Sequence, residues 1–271
     1  MRIPRIWSWL RKPARTIPEG LWQHTLARYP FLAQLNEPER SRLRQLTGRF
    51  LDQKEFHGAH GLRITDQIAV AIAAQACLPL LHIDARGQAL RWYRDFVGIV
   101  VHSHEVVAQR EITDPAGIVH RYREVLSGEA MDKGPVMVNW HDVKHAGSLA
   151  NQGYNVVIHE FIHKIDMQDS RADGCPPLPA GFMGTRGPRA ARRLWFTTLR
   201  PAYDAFREQT IQAERFGGPR AWLNSYGATS IVEFLAVSCE AYFVNRNRFQ
   251  QEFPALVPLY DAFFRRDPAV R

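Results

Sequence analysis

With 271 residues, 45% of them hydrophobic and 23% charged, the chain has the bulk and composition of an ordinary globular protein of one or two domains. That excludes a disordered tail, and the three cysteines, Cys77, Cys175 and Cys239, odd in number and without a CxxC pair, exclude a disulfide-stapled miniprotein. Thirty-five Lys and Arg against 27 Asp and Glu leave a net charge of +8, but the surplus is scattered arginine with no recognition module beside it, so no direct nucleic-acid contact is expected.

Residues 1–18 carry Arg2, Arg5, Arg11, Lys12 and Arg15 around Pro4 and Pro13, and read as a flexible basic arm before a single domain over 19–271. Ile3, Ile6, Trp7 and Leu10 share one side of an amphipathic turn, but so short a helix is better read as a loosely ordered arm than as a membrane anchor. No continuous apolar run marks a secretory signal. The longest apolar stretch, 68–81, is broken by Gln75 and Pro79 and falls short of the roughly 20 residues that span a bilayer. No stable membrane insertion is expected, and the cysteine usage fits a reducing compartment, the cytoplasm.

Two helices are predicted over 19–35 and 37–50, separated by Asn36, Glu37 and Pro38, with Leu43, Leu46 and Phe50 at helical spacing. Thr65 caps a third, in which Ile68, Ile72 and Ala76 recur until Leu78 and Pro79 end it. The middle changes character: 96–107 and 135–140 are rich in β-branched residues and are strand candidates, with Gly128 and Gly134 as turn residues before the second. Helical signals return from Asn155, interrupted by a Pro- and Gly-rich loop over 174–188. Helices around a small sheet make an α+β fold.

The chemistry is carried by His159, Glu160, Phe161, Ile162 and His163, an H-E-x-x-H inside an apolar run. Four residues are just over one helical turn, so both imidazoles leave one side of a helix and can ligate one tetrahedral Zn2+, while Glu160 beside them can take a proton from metal-bound water and return it to a leaving amine. A catalytic zinc needs a third protein ligand and an open position. Asp169 would serve after a sharp turn, but that geometry wants glycine where Asp166 stands. A later helix over 230–245 offers Glu233 and Glu240 in an apolar setting, about 10 Å apart along the axis, so one can touch the metal while the other orients a ligand. Spacing does not choose between them.

His159-Glu160-Phe-Ile-His163-Lys164-Ile-Asp166, together with Tyr226 and Glu233-Phe-Leu-Ala-Val-Ser-Cys-Glu240-Ala-Tyr-Phe, resembles the Mlc titration factor A family of glucose-regulated zinc metallopeptidases. Gly134-Pro135-Val-Met-Val-Asn139-Trp140 and Arg171-Ala-Asp-Gly174 also resemble it, and the likeness runs from about residue 20 to about residue 268. The resemblance implies a zincin-like fold of gluzincin type, with Glu233 as third ligand, Glu240 behind the ligands and Tyr226 hydrogen-bonding the oxyanion of a tetrahedral intermediate. It also implies aminopeptidase-like cleavage of a peptide or protein substrate and binding of a transcriptional repressor of the Mlc type that governs sugar uptake. The stretch between His163 and Tyr226 is longer than usual for the family and carries arginines over 186–193.

Asp166, three residues after His163, is expected to accept an N–H from a metal-bound imidazole. Asn139 and Trp140 end the strand before the motif helix, and such a strand is expected to pair with extended substrate. A rival metal site over His102-x-His104, whose side chains share a strand face, has no partner motif and reads as a hydrated strand edge. Two functions stand: a zinc peptidase, and a regulatory protein that sequesters a repressor around a non-catalytic zinc. An intact Glu160 favours the first, since a purely structural site has no use for a base beside an open coordination position.

Overall fold

The structure, a computed structural model, describes residues 16–84, 87–113, 119–126 and 128–266. Most of the basic arm expected over 1–18 lies outside the described residues, and Ile17 is buried in the core. The elements in chain order are α1 (Glu19–Arg28), α2 (Pro30–Ala33), α3 (Glu37–Gln53), β1 (Glu55–Gly58), α4 (Asp66–Cys77), β2 (Gly98–His102), β3 (Val106–Thr113), β4 (Val119–Leu126), β5 (Gly128–Ala130) and β6 (Val136–Asn139). They continue with α5 (Trp140–Leu149), α6 (Val156–Asp166), α7 (Pro188–Phe216), α8 (Ile231–Val244), α9 (Arg246–Glu252) and α10 (Leu256–Phe264). The chain is mostly helical around a small mixed sheet, an α+β architecture, and among the described residues no helix is long and apolar enough to cross a membrane.

The sheet has the order β1-β2-β6-β5, with β1, β2 and β6 parallel and β5 antiparallel to β6. Ile99 pairs with Val136 and Val101 with Val138, which puts the buried branched residues of both strands on one face. β3 and β4 form a separate antiparallel pair. Against the sheet lies α6, buried on nearly every side, with the Phe161 ring 4.8 Å from Tyr93 and 5.7 Å from Phe50. A helix so enclosed is held by packing rather than propensity.

Several boundaries differ from the sequence reading, each for a local reason. The helix expected over 19–35 breaks at Tyr29, because Pro30 has no N–H to continue the ladder and instead starts α2. The helix expected over 37–50 runs on to Gln53, opened by a capping box in which Asn36 and Glu39 exchange hydrogen bonds. The strand expected over 96–107 stops at His102, and the chain turns before β3. Strand β6 stops at Asn139, whose side chain accepts the Asp142 N–H at 2.7 Å and so caps α5, making Trp140 helical. Gly128 belongs to a strand and not to a turn. The arginines over 186–193 are mostly the first turns of α7, which Pro188 opens, so only the segment before it is loop.

Lys164 ties the motif helix to the sheet. Its fully buried ammonium donates to Asp95 Oδ2 at 3.0 Å and to the carbonyls of Met131 and Gly134 at 2.6 and 3.1 Å, which grips the turn between β5 and β6. Lys164→Met should cost about 3 kcal/mol in urea unfolding, because it takes the ammonium from Asp95, which keeps only Gln168 Nε2, and from the carbonyls of Met131 and Gly134. A loss under about 1 kcal/mol would show that water or Gln168 replaces the ammonium.

Candidate metal centre

Helix α6 begins with Asn155, whose Oδ1 accepts the Ile158 N–H at 2.9 Å while its Nδ2 donates to Gln75. That start sets the phase of the next turn, and His159 and His163 stand one above the other with ring centroids 4.8 Å apart. Their Nε2 atoms are 3.1 Å apart. Helix α8 begins with Ser230 accepting the Glu233 N–H, which places Glu233 in the first turn facing α6. Its Oε2 lies 3.1 Å from His159 Nε2 and 3.2 Å from His163 Nε2.

Two nitrogens and an oxygen therefore form a nearly equilateral triangle, and these three residues are the group of metal-ligand type found among the described residues. A tetrahedral zinc with ligands at about 2.0–2.1 Å holds its ligand atoms about 3.3 Å apart, so this donor set fits such an ion with little adjustment. Asp169 is not among the three.

The two carboxylates of α8, about two helical turns apart, have different roles. Glu240 is buried and meets the other nitrogen of His159, with Oε1 2.7 Å from Nδ1, while its Oε2 accepts the Asn155 backbone N–H. A carboxylate on Nδ1 fixes the tautomer that leaves Nε2 as a lone-pair donor. Burial would raise the Glu233 carboxyl, but the closeness of His159 and His163 outweighs it and holds it far below the ordinary carboxylate range. Burial raises Glu240 against the hydrogen bond from His159. Burial also dominates at Glu160, pushing it up to about 7 against the pull of both histidines.

Glu160 lies against the edge of the sheet. A Cβ built on Gly128 would fall 2.5 Å from Glu160 Oε1, so only a glycine lets β5 pass this close. The triangle opens into a cleft of about 430 Å3, whose lining includes Gly128, Glu129 and Ala130 of β5 together with Tyr226 and Val232. Tyr226 sits on a short 3-10 turn, Ser225–Ala228, with its ring centroid 6.1 Å from His159 and a large part of the side chain exposed to the cleft.

Three residues expected at the site have other surroundings in the structure. Among the described residues Asp166 shows no hydrogen bond to an imidazole: Oδ2 accepts the Gly174 N–H at 2.8 Å, and Oδ1 is buried with no partner among them. It pins the segment that carries Ala172 to the cleft, a hold reinforced by Trp195 Nε1 donating to Gly174 O at 2.7 Å, and burial pushes its carboxyl up to about 7. Neither Asn139 nor Trp140 borders the cleft. Asn139 is buried and engaged in capping, and Trp140 faces a small recess against α1 and α4. The strand that reaches the cleft is β5, which the sequence reading missed because three residues, one of them glycine, show no alternation. Tyr154 was missed too; it lines the cleft and its hydroxyl donates to Asp142 at 2.9 Å.

A family profile described as glucose-regulated metallo-peptidase M90 matches residues 6–265. Among curated proteins, the chain is 30% identical over 266 residues to "Mlc titration factor A" of Klebsiella pneumoniae, covering 98% of this chain and 93% of that protein. It is 31% identical over 268 residues to the protein of that name from an Enterobacter species, again covering 98% and 93%, and 29% identical over 266 residues to that of Yersinia pestis, covering 97% and 92%.

Proposed function

Because this chain belongs to the glucose-regulated metallo-peptidase M90 family, we propose that it is a zinc-dependent peptidase of gluzincin type on a zincin-like fold, with aminopeptidase-like cleavage of a peptide or protein substrate. In this reading His159, His163 and Glu233 hold the zinc, and Glu240 orients His159 through Nδ1. Zinc, when bound, supplies Lewis acidity at the open face of the triangle, polarising a carbonyl and making water a better nucleophile near neutral pH.

The rest is the work of the chain. Glu160, buried beside the two imidazoles, takes the proton from the attacking water at its carboxylate and passes it to the leaving amine. Tyr226, across the cleft, offers its phenol O–H to the oxyanion that develops on the substrate carbonyl. Strand β5 ends the sheet and borders the cleft, so an extended substrate backbone can add beside it within reach of Glu160.

The observation that carries this reading is the position of Glu233 Oε2, nearly equidistant from two nitrogens on another helix and open to the cleft. The test is hydrolysis of alanine and peptide chromogenic substrates by purified protein, with zinc measured by elemental analysis. Chelation should remove activity and stoichiometric zinc should restore it. Native protein that neither contains nor takes up zinc would refute the proposal.

A second reading rests on the name that the relatives carry, "Mlc titration factor A", which supports binding of a repressor of the Mlc type and a role in sugar uptake, the zinc then being non-catalytic. Repressor binding with no hydrolysis in zinc-loaded protein would favour it. The three free cysteines, all buried, support a reducing location, the cytoplasm.

A further inference from the structure

Histidines collect at a second place in the fold, the end of the sheet where the parallel strands finish. His60 follows β1, His102 ends β2 with His104 just beyond it, and His141 and His145 lie in the helix that follows β6. The parallel register sets His102 opposite Asn139, and the His141 N–H donates to Ser103 O at 3.3 Å, so the chain after β2 runs alongside the start of α5. The pair His102 and His104 does not act as a unit. His102 is half-buried with its ring 5.7 Å from His60, whereas His104 turns outward, its ring 5.9 Å from His141.

His141 and His145 repeat on α5 the spacing of His159 and His163 on α6. Their ring centroids are 4.6 Å apart, against 4.8 Å in the motif pair. The hydrogen bonds also decide which nitrogen is free to ligate. His145 Nδ1 is 2.7 Å from His141 O, and a carbonyl can only accept, so Nδ1 carries the proton and Nε2 keeps its lone pair. His141 Nδ1 is 3.1 Å from Asp142 Oδ1, a carboxylate that imposes the same tautomer. All three rings, His104 included, are exposed; as they stand their ligand atoms do not all lie within 4.8 Å of one another, and His104, whose ring is 5.9 Å from that of His141, would have to turn to join the pair.

We propose that His104, His141 and His145 form a surface site for a divalent transition-metal ion of the Ni2+, Cu2+ or Zn2+ class, separate from the cleft. Imidazole nitrogens suit these ions and not Mg2+ or Ca2+, which require oxygen. Two ligands come from one rigid helix, so little ordering is needed on binding; the third comes from the segment after β2, so an occupied site would staple that segment to α5.

The full chain and His141→Gln/His145→Gln are compared by equilibrium dialysis at micromolar Ni2+. The expected result is one equivalent less in the double variant, a difference that is the same whether or not the cleft is loaded. His104→Gln should weaken that equivalent by about tenfold. Both variants alter exposed side chains, so thermal unfolding of the metal-free chains should coincide. In the unaltered chain with zinc already bound in the cleft, substoichiometric Cu2+ should broaden the His141 and His145 imidazole resonances before those of His57 or His60. Equal uptake by both chains, an unchanged affinity in His104→Gln, or broadening centred elsewhere would each overturn the site.

Discussion

Glu160→Gln should lower kcat/KM by about 10^2–10^4-fold with zinc content unchanged, the range that general acid–base catalysis contributes. The substitution keeps the shape of a buried side chain and removes its capacity to hold a proton. Glu160 makes no part of the ligand triangle, so metal affinity should be nearly preserved. Removing a buried acid should also leave the fold at least as stable, since burial already raises this carboxyl to about 7. The wild-type pH profile follows with its sign. The base must be ionised to accept a proton, so kcat/KM falls as pH drops below its pKa, and the charge of the bound cation holds that pKa under the value of the metal-free chain. Full hydrolysis by Glu160→Gln would remove Glu160 from the mechanism.

Gly128→Ala should reduce kcat by about 10^2-fold while zinc remains bound, because a misplacement of about 1 Å at a reacting group costs that much. The added methyl would lie 2.5 Å from Glu160 Oε1 and 2.7 Å from its Cγ, so either the carboxylate or the strand must move. The strand is the stiffer partner: β5 is paired along its length with β6, and Lys164 holds the turn between them through the carbonyls of Met131 and Gly134. The base therefore yields. Gly20→Ala is the matched control, since a Cβ there meets nothing within 4 Å. A kcat equal to wild type in Gly128→Ala would mean that β5 gives way and that the edge strand does not position the base.

How much of this was legible follows the range of the interaction involved. The helix bearing His159, Glu160 and His163 could be read because an α-helix imposes its own period, and the caps at Thr65, Asn155 and Ser230 act within three residues of themselves. Prolines 30 and 188 had equally local effects that a closer reading would have found. The sheet was harder. Its strands are three to five residues long, and the one that borders the cleft has no pattern to detect.

The amino-acid sequence by itself determined the α+β class, the two imidazoles on one helical face and the carboxylate between them, because those depend on bond geometry and spacing within a turn. Only the tertiary structure decided which of Glu233 and Glu240 faces both Nε2 atoms, that Gly128 and not Asn139 lies against Glu160, and that the His104 ring lies near His141. Those pairings close loops of tens of residues, and no local periodicity carries the phase of one element to another across such a span. It is set when the buried faces of α6, α8 and the sheet pack together.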